Sequence, residues 1–338
     1  MSSPKQISGW KSALLRHETI LLLVVLLEAI FFNAAGRNFA TADNVGNIIR
    51  HSTEIGLLAL VMMPIILTGG IDLSVGSLLG LCAVLFGKMC QDGGLSPLVA
   101  GAVTLGVGAA AGGFNALLIT WLRLPPLIVT LGTYSLFRGL AEAITRGTAT
   151  YSKFPQAFLD FGNGTLLGLP NQAWILLAVA AGVWLLVHQT TFGRSFRAIG
   201  FAPEGARYAG LPVGRRVAMA YVLAGLVAAL AAILFTARVT QARADAGVGY
   251  ELLAITAVVL GGTSIFGGVG TVHGTLLGVV AVAVMSNGLS RILSITNVSR
   301  ELSGMLTGAL LVLALAGGLW PKYFAAWRVR RALLNSRH

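Results

Sequence analysis

Along this chain the apolar positions gather into long uncharged runs divided by short polar stretches. An apolar run of about 20 residues, coiled as a helix, crosses about 30 Å of hydrocarbon while satisfying its own backbone. A membrane β-barrel alternates in segments of about ten residues instead. The runs predict ten spans, near 19–36, 55–70, 73–91, 96–121, 126–144, 173–189, 217–237, 250–266, 271–290 and 300–319. The expected fold is an all-α, polytopic membrane protein: one membrane domain over 1–338, with a membrane-spanning core over 19–320. The runs at 55–70 and 250–266 are short and end in glycine pairs, which predicts broken or tilted helices.

Composition sharpens this picture. Charged residues are 11% of 338 and mean hydropathy is +0.81, against about 25% charged in a soluble domain. Soluble enzymes, nucleic-acid binders and disulfide scaffolds are thereby excluded. Glycine is 43 of 338, nearly twice the usual share of about 7%. Small residues let membrane helices approach closely, and Gly108-xxx-Gly112 and Gly304-xxx-Gly308 fit that use. Cys82 and Cys90 lie in one apolar run and build no disulfide framework. Ala40-Thr41-Ala42 looks like a signal cleavage site, but the preceding apolar run is too long and contains Glu28, so no cleavage is expected.

The net charge of +12 fits cationic loops facing anionic lipid. An even span count puts both termini on one side. With them lie basic clusters at 190–216 and after Pro321, which predicts cytoplasmic termini. The loop at 145–172 then faces the periplasm. Neither loop is long enough for an independent core, so any energy coupling that needs a soluble domain comes from another chain.

Four features carry candidate chemistry. In Thr68-Gly69-Gly70-Ile71-Asp72-Leu73-Ser74-Val75-Gly76-Ser77, the acid lies between two apolar runs, where a charge costs about 2.5–3.5 kcal/mol unless it faces protein or water. Asp72 either caps the following helix, with Ser74 nearby, or lines a polar path with Ser74. A second break, Gly261-Gly262-Thr263-Ser264, also follows a run introduced by an acid, Glu251, as Glu54 introduces the first. Such matching breaks occur in transporters built from repeats. Arg138 and Glu142 lie four apart on one helix face, which predicts a structural ion pair. In the loop 190–216, Pro203 suits a first helical turn, Glu204 its positive end and Gly210 its stop. A short helix over 203–209 is expected there, either a basic connector on headgroups or a docking element for a cytoplasmic partner. No His-Glu-x-x-His and no phosphate-binding Gly-x-x-x-x-Gly-Lys occurs, so no metal site, catalytic residue or nucleotide site is expected on this chain.

These motifs resemble the membrane permease subunits of ATP-binding-cassette importers for monosaccharides, the ribose, xylose, rhamnose and autoinducer-2 group. The resemblance covers about 18–320. It rests on Gly-Gly-Ile-Asp-Leu-Ser-Val-Gly-Ser at 69–77, Leu131-Gly132-Thr133 with Arg138-Gly139-Leu140, the Thr-x-Phe-Gly-Arg loop at 190–200 and Val-Leu-Gly-Gly-Thr-Ser-Ile-Phe-Gly-Gly at 259–268. The family's coupling motif, near Glu-Ala-Ala-x-x-x-Gly, stands here as Glu204-Gly205-Ala206-Arg207-Tyr208-Ala209-Gly210, with Gly205 replacing the first Ala. The resemblance implies import of a sugar or sugar-like solute, rhamnose- or ribose-type favoured, across the bacterial inner membrane. It implies ATPase coupling through Arg194, Pro203, Glu204, Gly205, Ala206, Arg207 and Gly210. Its implied partners are a second permease, identical or sister, two ATPase subunits holding ATP and Mg, a periplasmic sugar-binding protein and membrane lipid. The competing reading is an ion-coupled secondary transporter using Glu28 and Asp72 as its acids.

Overall fold

In the computed structural model, residues 17–36 and 39–295 are described, together with 305, 308 and 309. The predicted span 300–319, the cations after Pro321 and Gly304 therefore lie outside the described residues, apart from those three positions. The elements are α1 (His17–Ala35), α2 (Ala42–Leu67), α3 (Val75–Gln91), α4 (Pro97–Thr120), α5 (Pro126–Thr145) and α6 (Gln156–Asn163). A two-stranded hairpin follows, β1 (Thr165–Leu166) and β2 (Leu169–Pro170), with Thr165 opposite Pro170 and Leu166 opposite Leu169. Then come α7 (Asn171–Trp184), which runs into a π-helical turn at Leu185–Gln189, α8 (Thr191–Phe201), α9 (Pro203–Tyr208), α10 (Val213–Val239), α11 (Tyr250–Leu260) and α12 (Val272–Ile295). Seven of these are long and apolar enough to cross a membrane, α7 counted with its π turn, and α3 and α11 are shorter apolar helices. This is an all-α polytopic membrane protein.

Two predicted spans change length. The run read as 55–70 belongs to a helix of 26 residues that begins at Ala42. Thr41 starts it, its side chain accepting from the Asn44 amide at 3.3 Å. The polar stretch His51-Ser52-Thr53-Glu54 does not stop the helix, because those side chains meet protein partners. Ser52 and Thr53 bond back to the Ile49 carbonyl, and Glu54 pairs with Arg238 at 2.8 Å. The run read as 250–266 is helical only to Leu260. Gly261-Gly262 ends it, and Gly262, at φ +89°, adopts a conformation that L side chains avoid.

The core is built on close backbone approach. α10 packs most extensively against α4 and also touches α2 and α3. At the α4–α10 crossing, a Cβ on Gly108, Gly112 or Gly225 would run into the opposing backbone, so the Gly108-xxx-Gly112 spacing is used for contact. In contrast α1, which packs on α12, exposes Leu23, Leu27, Ile30 and Phe31, an apolar surface suited to lipid.

Between α10 and α11 the chain does not form a helix. Thr240 ends α10 in a left-handed conformation at φ +60°. Residues 240–249 then run back along α3 in the opposite direction. Ala242 sits at Gly87, the carbonyls of Ala244 and Ala246 at Gly80, and that of Gly247 at Gly76. Glycine at 76, 80 and 87 opens the face of α3 to this arm. Arg138 of α5 fastens it, its Nη1 donating to the Ala244 and Ala246 carbonyls. The predicted Arg138–Glu142 pair is therefore corrected: Glu142 is exposed, and the guanidinium serves arm carbonyls that no strand partner satisfies.

The predicted loop 145–172 holds α6 and the hairpin, with Tyr151 bridged to Ala242. The loop 190–216 holds α8, α9 and the first turn of α10. The continuous α7 and its π turn separate these two ends of the molecule.

Candidate functional site

The first break begins where α2 stops. Thr68 turns back on the Ile65 carbonyl through its hydroxyl at 2.7 Å, and the Gly70 amide bonds to the same carbonyl at 3.1 Å. Pro64, inside α2, brings no amide of its own to the ladder. Asp72 is 2% exposed, and its Oδ1 accepts from the Ser74 amide at 2.8 Å and the Ser74 hydroxyl at 2.6 Å. Asn115 of α4 donates to Ser74 Oγ at 2.9 Å, and Ser77 donates to the Ser74 carbonyl at 2.9 Å. Thr130 of α5 reaches the Ile71 carbonyl at 3.2 Å. The Tyr221 hydroxyl of α10 lies over Gly70, buried and without a partner. Ser74 stands at the N-cap of α3, so Asp72 closes a turn two residues ahead of the helix rather than capping the inner amides. Asp72 also belongs to a buried polar chain that runs through Ser74 to Asn115.

The second break is held by backbone. The Ser264 amide donates to Val269 at 2.9 Å and the Thr263 amide to Val258 at 3.2 Å. Thr263 is buried with its hydroxyl unpartnered, while Phe266 is 87% exposed. The two breaks touch: the Gly268 amide donates to the Leu67 carbonyl at 3.0 Å.

The basic loop lies against this junction. Gly200 of α8 is so close to the Leu67 carbonyl and the Gly268 amide that no Cβ fits there. Phe201 covers Gly268. On the far side of the second break, the Val272 amide donates to His188 Nε2 at 3.3 Å, and Arg197 of α8 lies 3.3 Å from His188 Nδ1. Arg216 of α10 stacks on Phe192 at 3.9 Å from the ring centre. Thus α8 is joined to α2, α10, the second break and the start of α12.

α9 follows directly, with Pro203 in its first turn and Gly210, at φ +79°, turning the chain back. Glu204 and Arg207 pair at 3.2 Å on its exposed side. Tyr208 is 90% exposed and Gly205 is open, whereas Ala206 is buried against Ile199 and Val213. Ala206 is the foot of the helix, and the outward face is Glu204, Gly205, Arg207 and Tyr208. Arg194 is exposed on α8.

Sequence reading did not find the buried Glu54–Arg238 pair, the Arg138 clasp or the His188 contact, because their partners lie far apart in the chain. Glu251 is buried beside Gly76 with Oε2 unpartnered. Glu28 is half-buried on α1 with Oε2 unpartnered. Among the described residues no three His, Cys, Asp or Glu side chains converge as a metal site.

A family model described as "Branched-chain amino acid transport system / permease component" matches residues 44–315. The chain is 41% identical over 280 residues to the autoinducer 2 import system permease protein LsrD of Yersinia enterocolitica, covering 80% of this chain and 83% of the relative. It is 38% identical to the protein of that name from Photorhabdus luminescens, over 89% and 90% of the two chains. With the Escherichia coli protein the identity is 37% over 336 residues, 96% and 97% of the two. No solved structure matches. The chain belongs to this permease family, as a multi-pass subunit of an ATP-binding-cassette importer.

Proposed function

We propose that this permease carries a small sugar-like solute into the cytoplasm, driven by ATP hydrolysis on two separate ATPase subunits that receive α9. The contact of Gly200 with both breaks carries this reading. A push on α9 reaches Leu67 and Gly268 through packed backbone, with no flexible side chain to absorb it. The relatives' shared name, autoinducer 2 import permease, supports a solute of sugar-like size and polarity. In this reading α9 and both termini are cytoplasmic, the hairpin meets the solute-binding protein in the periplasm, and a second permease completes the path.

The test uses single cysteines at the exposed positions Tyr208 and Leu167, 90% and 83% exposed, after Cys82 and Cys90 are replaced. An impermeant maleimide on intact cells should label residue 167 and spare 208 until the membrane is opened. The reverse pattern overturns the orientation. Co-purification of ATPase subunits with the permease, lost on Gly210→Val, tests the docking role.

A further inference from the structure

Near the hairpin, α7 and α10 are joined, Gln172 Nε2 donating to the Leu234 carbonyl at 3.3 Å. Elsewhere both helices pack against α2 and little against each other. Past the Gln172 link, a groove of about 300 Å³ lies between them. Val61 and Pro64 of α2, both buried, form its floor. Leu186 of α7 and Met219 and Leu223 of α10, all half-buried, form its sides, and Gly182 stands exposed at its edge. Every lining residue is apolar. Such a space offers water none of the two to four polar partners, roughly, that hold it in place. Leu177 and Leu185, exposed on α7 beside it, set its mouth among hydrocarbon.

The lining stripe of α10 ends in charge. Arg215, Met219 and Leu223 follow at i, i+4 spacing, as do Arg216 and Ala220. Both arginines therefore sit one turn beyond the groove on the face that lines it. Arg216 lies 3.9 Å over the Phe192 ring, and its Nε is buried without a partner. Arg215 is exposed. Neither forms an ion pair among the described residues. The single acid of the loop, Glu204, is taken by Arg207.

A guanidinium at the edge of a hydrocarbon groove is matched by phosphate, whose oxygens accept from its N–H fork. A helix, about 10–12 Å across, would lie over such a groove, whereas one acyl chain enters it. We infer that the groove and the two arginines bind an anionic phospholipid, its acyl chain between α7 and α10 and its phosphate on Arg215 and Arg216. In the orientation proposed above, the site faces the cytoplasmic leaflet, where anionic lipid is found. The site itself does not depend on the import reading.

The experiment places the complete importer in nanodiscs of phosphatidylcholine, alone or with phosphatidylglycerol. The importer is then released into detergent, and the lipids it retains are counted by native mass spectrometry. One phosphatidylglycerol per copy of this chain should remain, and Gly182→Leu should remove it. A Cβ at 182 meets nothing within 4 Å and leucine suits a helix better than glycine, so this variant should fold and fill the groove. Arg215→Gln and Arg216→Gln should each weaken retention about fivefold, the factor of one basic residue beside anionic lipid. Lys153→Gln, exposed at the hairpin end, should not, and inorganic phosphate should not displace the lipid. The inference is overturned if phosphatidylcholine is retained equally, if Gly182→Leu keeps phosphatidylglycerol as the unaltered chain does, or if Lys153→Gln loses as much as the arginine variants. Displacement by inorganic phosphate overturns it too, since that marks a plain anion site. An importer that holds the lipid but takes up no solute refutes the proposed function and leaves the lipid site standing.

Discussion

The two glycine-rich breaks look alike as sequence, each a glycine pair after an apolar run, yet they are held in opposite ways. The first is tied by side chains: Asp72, Ser74 and Asn115 form a buried chain, with Thr130 on the Ile71 carbonyl. The second is tied by backbone turns, and its tip, Phe266, stands exposed. A break locked by charged and hydroxyl groups resists small displacements. The glycine turns of the second are buried at Gly261, Gly267 and Gly268 and carry Ile265 and Phe266 outward. In the proposed coupling, the first break then serves as the frame and the second, with α8 against it, as the part that yields.

The largest expected effect is at the frame. Asp72→Leu leaves the Ser74 hydroxyl and amide without their acceptor, a loss of about 1–3 kcal/mol, read as a fall in folded permease in detergent. Asp72→Asn keeps an acceptor oxygen and should retain most of the protein level and transport. If Asn abolishes transport at normal protein level, the frame description is insufficient and the charge itself acts in the path.

Next comes the arm that packs on α3. Arg138→Leu removes the donor to the part-buried Ala244 and Ala246 carbonyls, again about 1–3 kcal/mol, whereas Glu142→Gln, at an exposed position, should stay within about 0.5 kcal/mol. Thermal melts of the two purified variants check this. Equal destabilisation would restore the i,i+4 pair.

Gly210→Val forces a β-branched side chain into a left-handed conformation, at about 1–2 kcal/mol, and should cut ATPase co-purification while the spans still insert. Because Ala206 is the buried foot of α9, Ala206→Asp should fail through lost packing against Ile199 and Val213 rather than through a charge facing the partner. The smallest effect is Phe266→Ser. It should leave stability within about 0.5 kcal/mol and lower coupled transport if the second break is the moving part. Unchanged uptake would weaken the contrast between the breaks.

Much of this architecture was legible in the sequence. The apolar runs placed the described spans, since hydrocarbon thickness fixes helix length, and Pro203, Glu204 and Gly210 placed α9 because their backbone preferences are local. The N-terminal extension of α2 was hidden: His51 to Glu54 look like loop residues until Arg238 supplies a partner 184 residues away. The arm at 240–249 was hidden too, because its outside partners, Tyr151 at Ala242 and Arg138 at the Ala244 and Ala246 carbonyls, are distant in the chain and its space is made by glycines of α3. Arg138 was misassigned for the same reason, since i,i+4 spacing reports a neighbour but not a stronger distant one. The buried chain from Asp72 through Ser74 to Asn115 was hidden as well, because no local pattern links Asn115 to the break.

In the proposed coupling, α8 links α9 to both breaks through Gly200, and comparing Gly200 with Gly205, five positions further on, separates that contact from a general loop effect. At Gly200 a Cβ meets the backbone of Leu67 and Gly268, whereas at Gly205 it meets only the Ala202 methyl at 3.4 Å. The direct measurement is solute uptake per ATP hydrolysed in reconstituted importers carrying Gly200→Ala or Gly205→Ala. Gly205→Ala should transport as the unaltered protein does, and Gly200→Ala should bind its ATPase subunits but hydrolyse ATP with little uptake. Full coupled uptake by Gly200→Ala would contradict the proposed coupling.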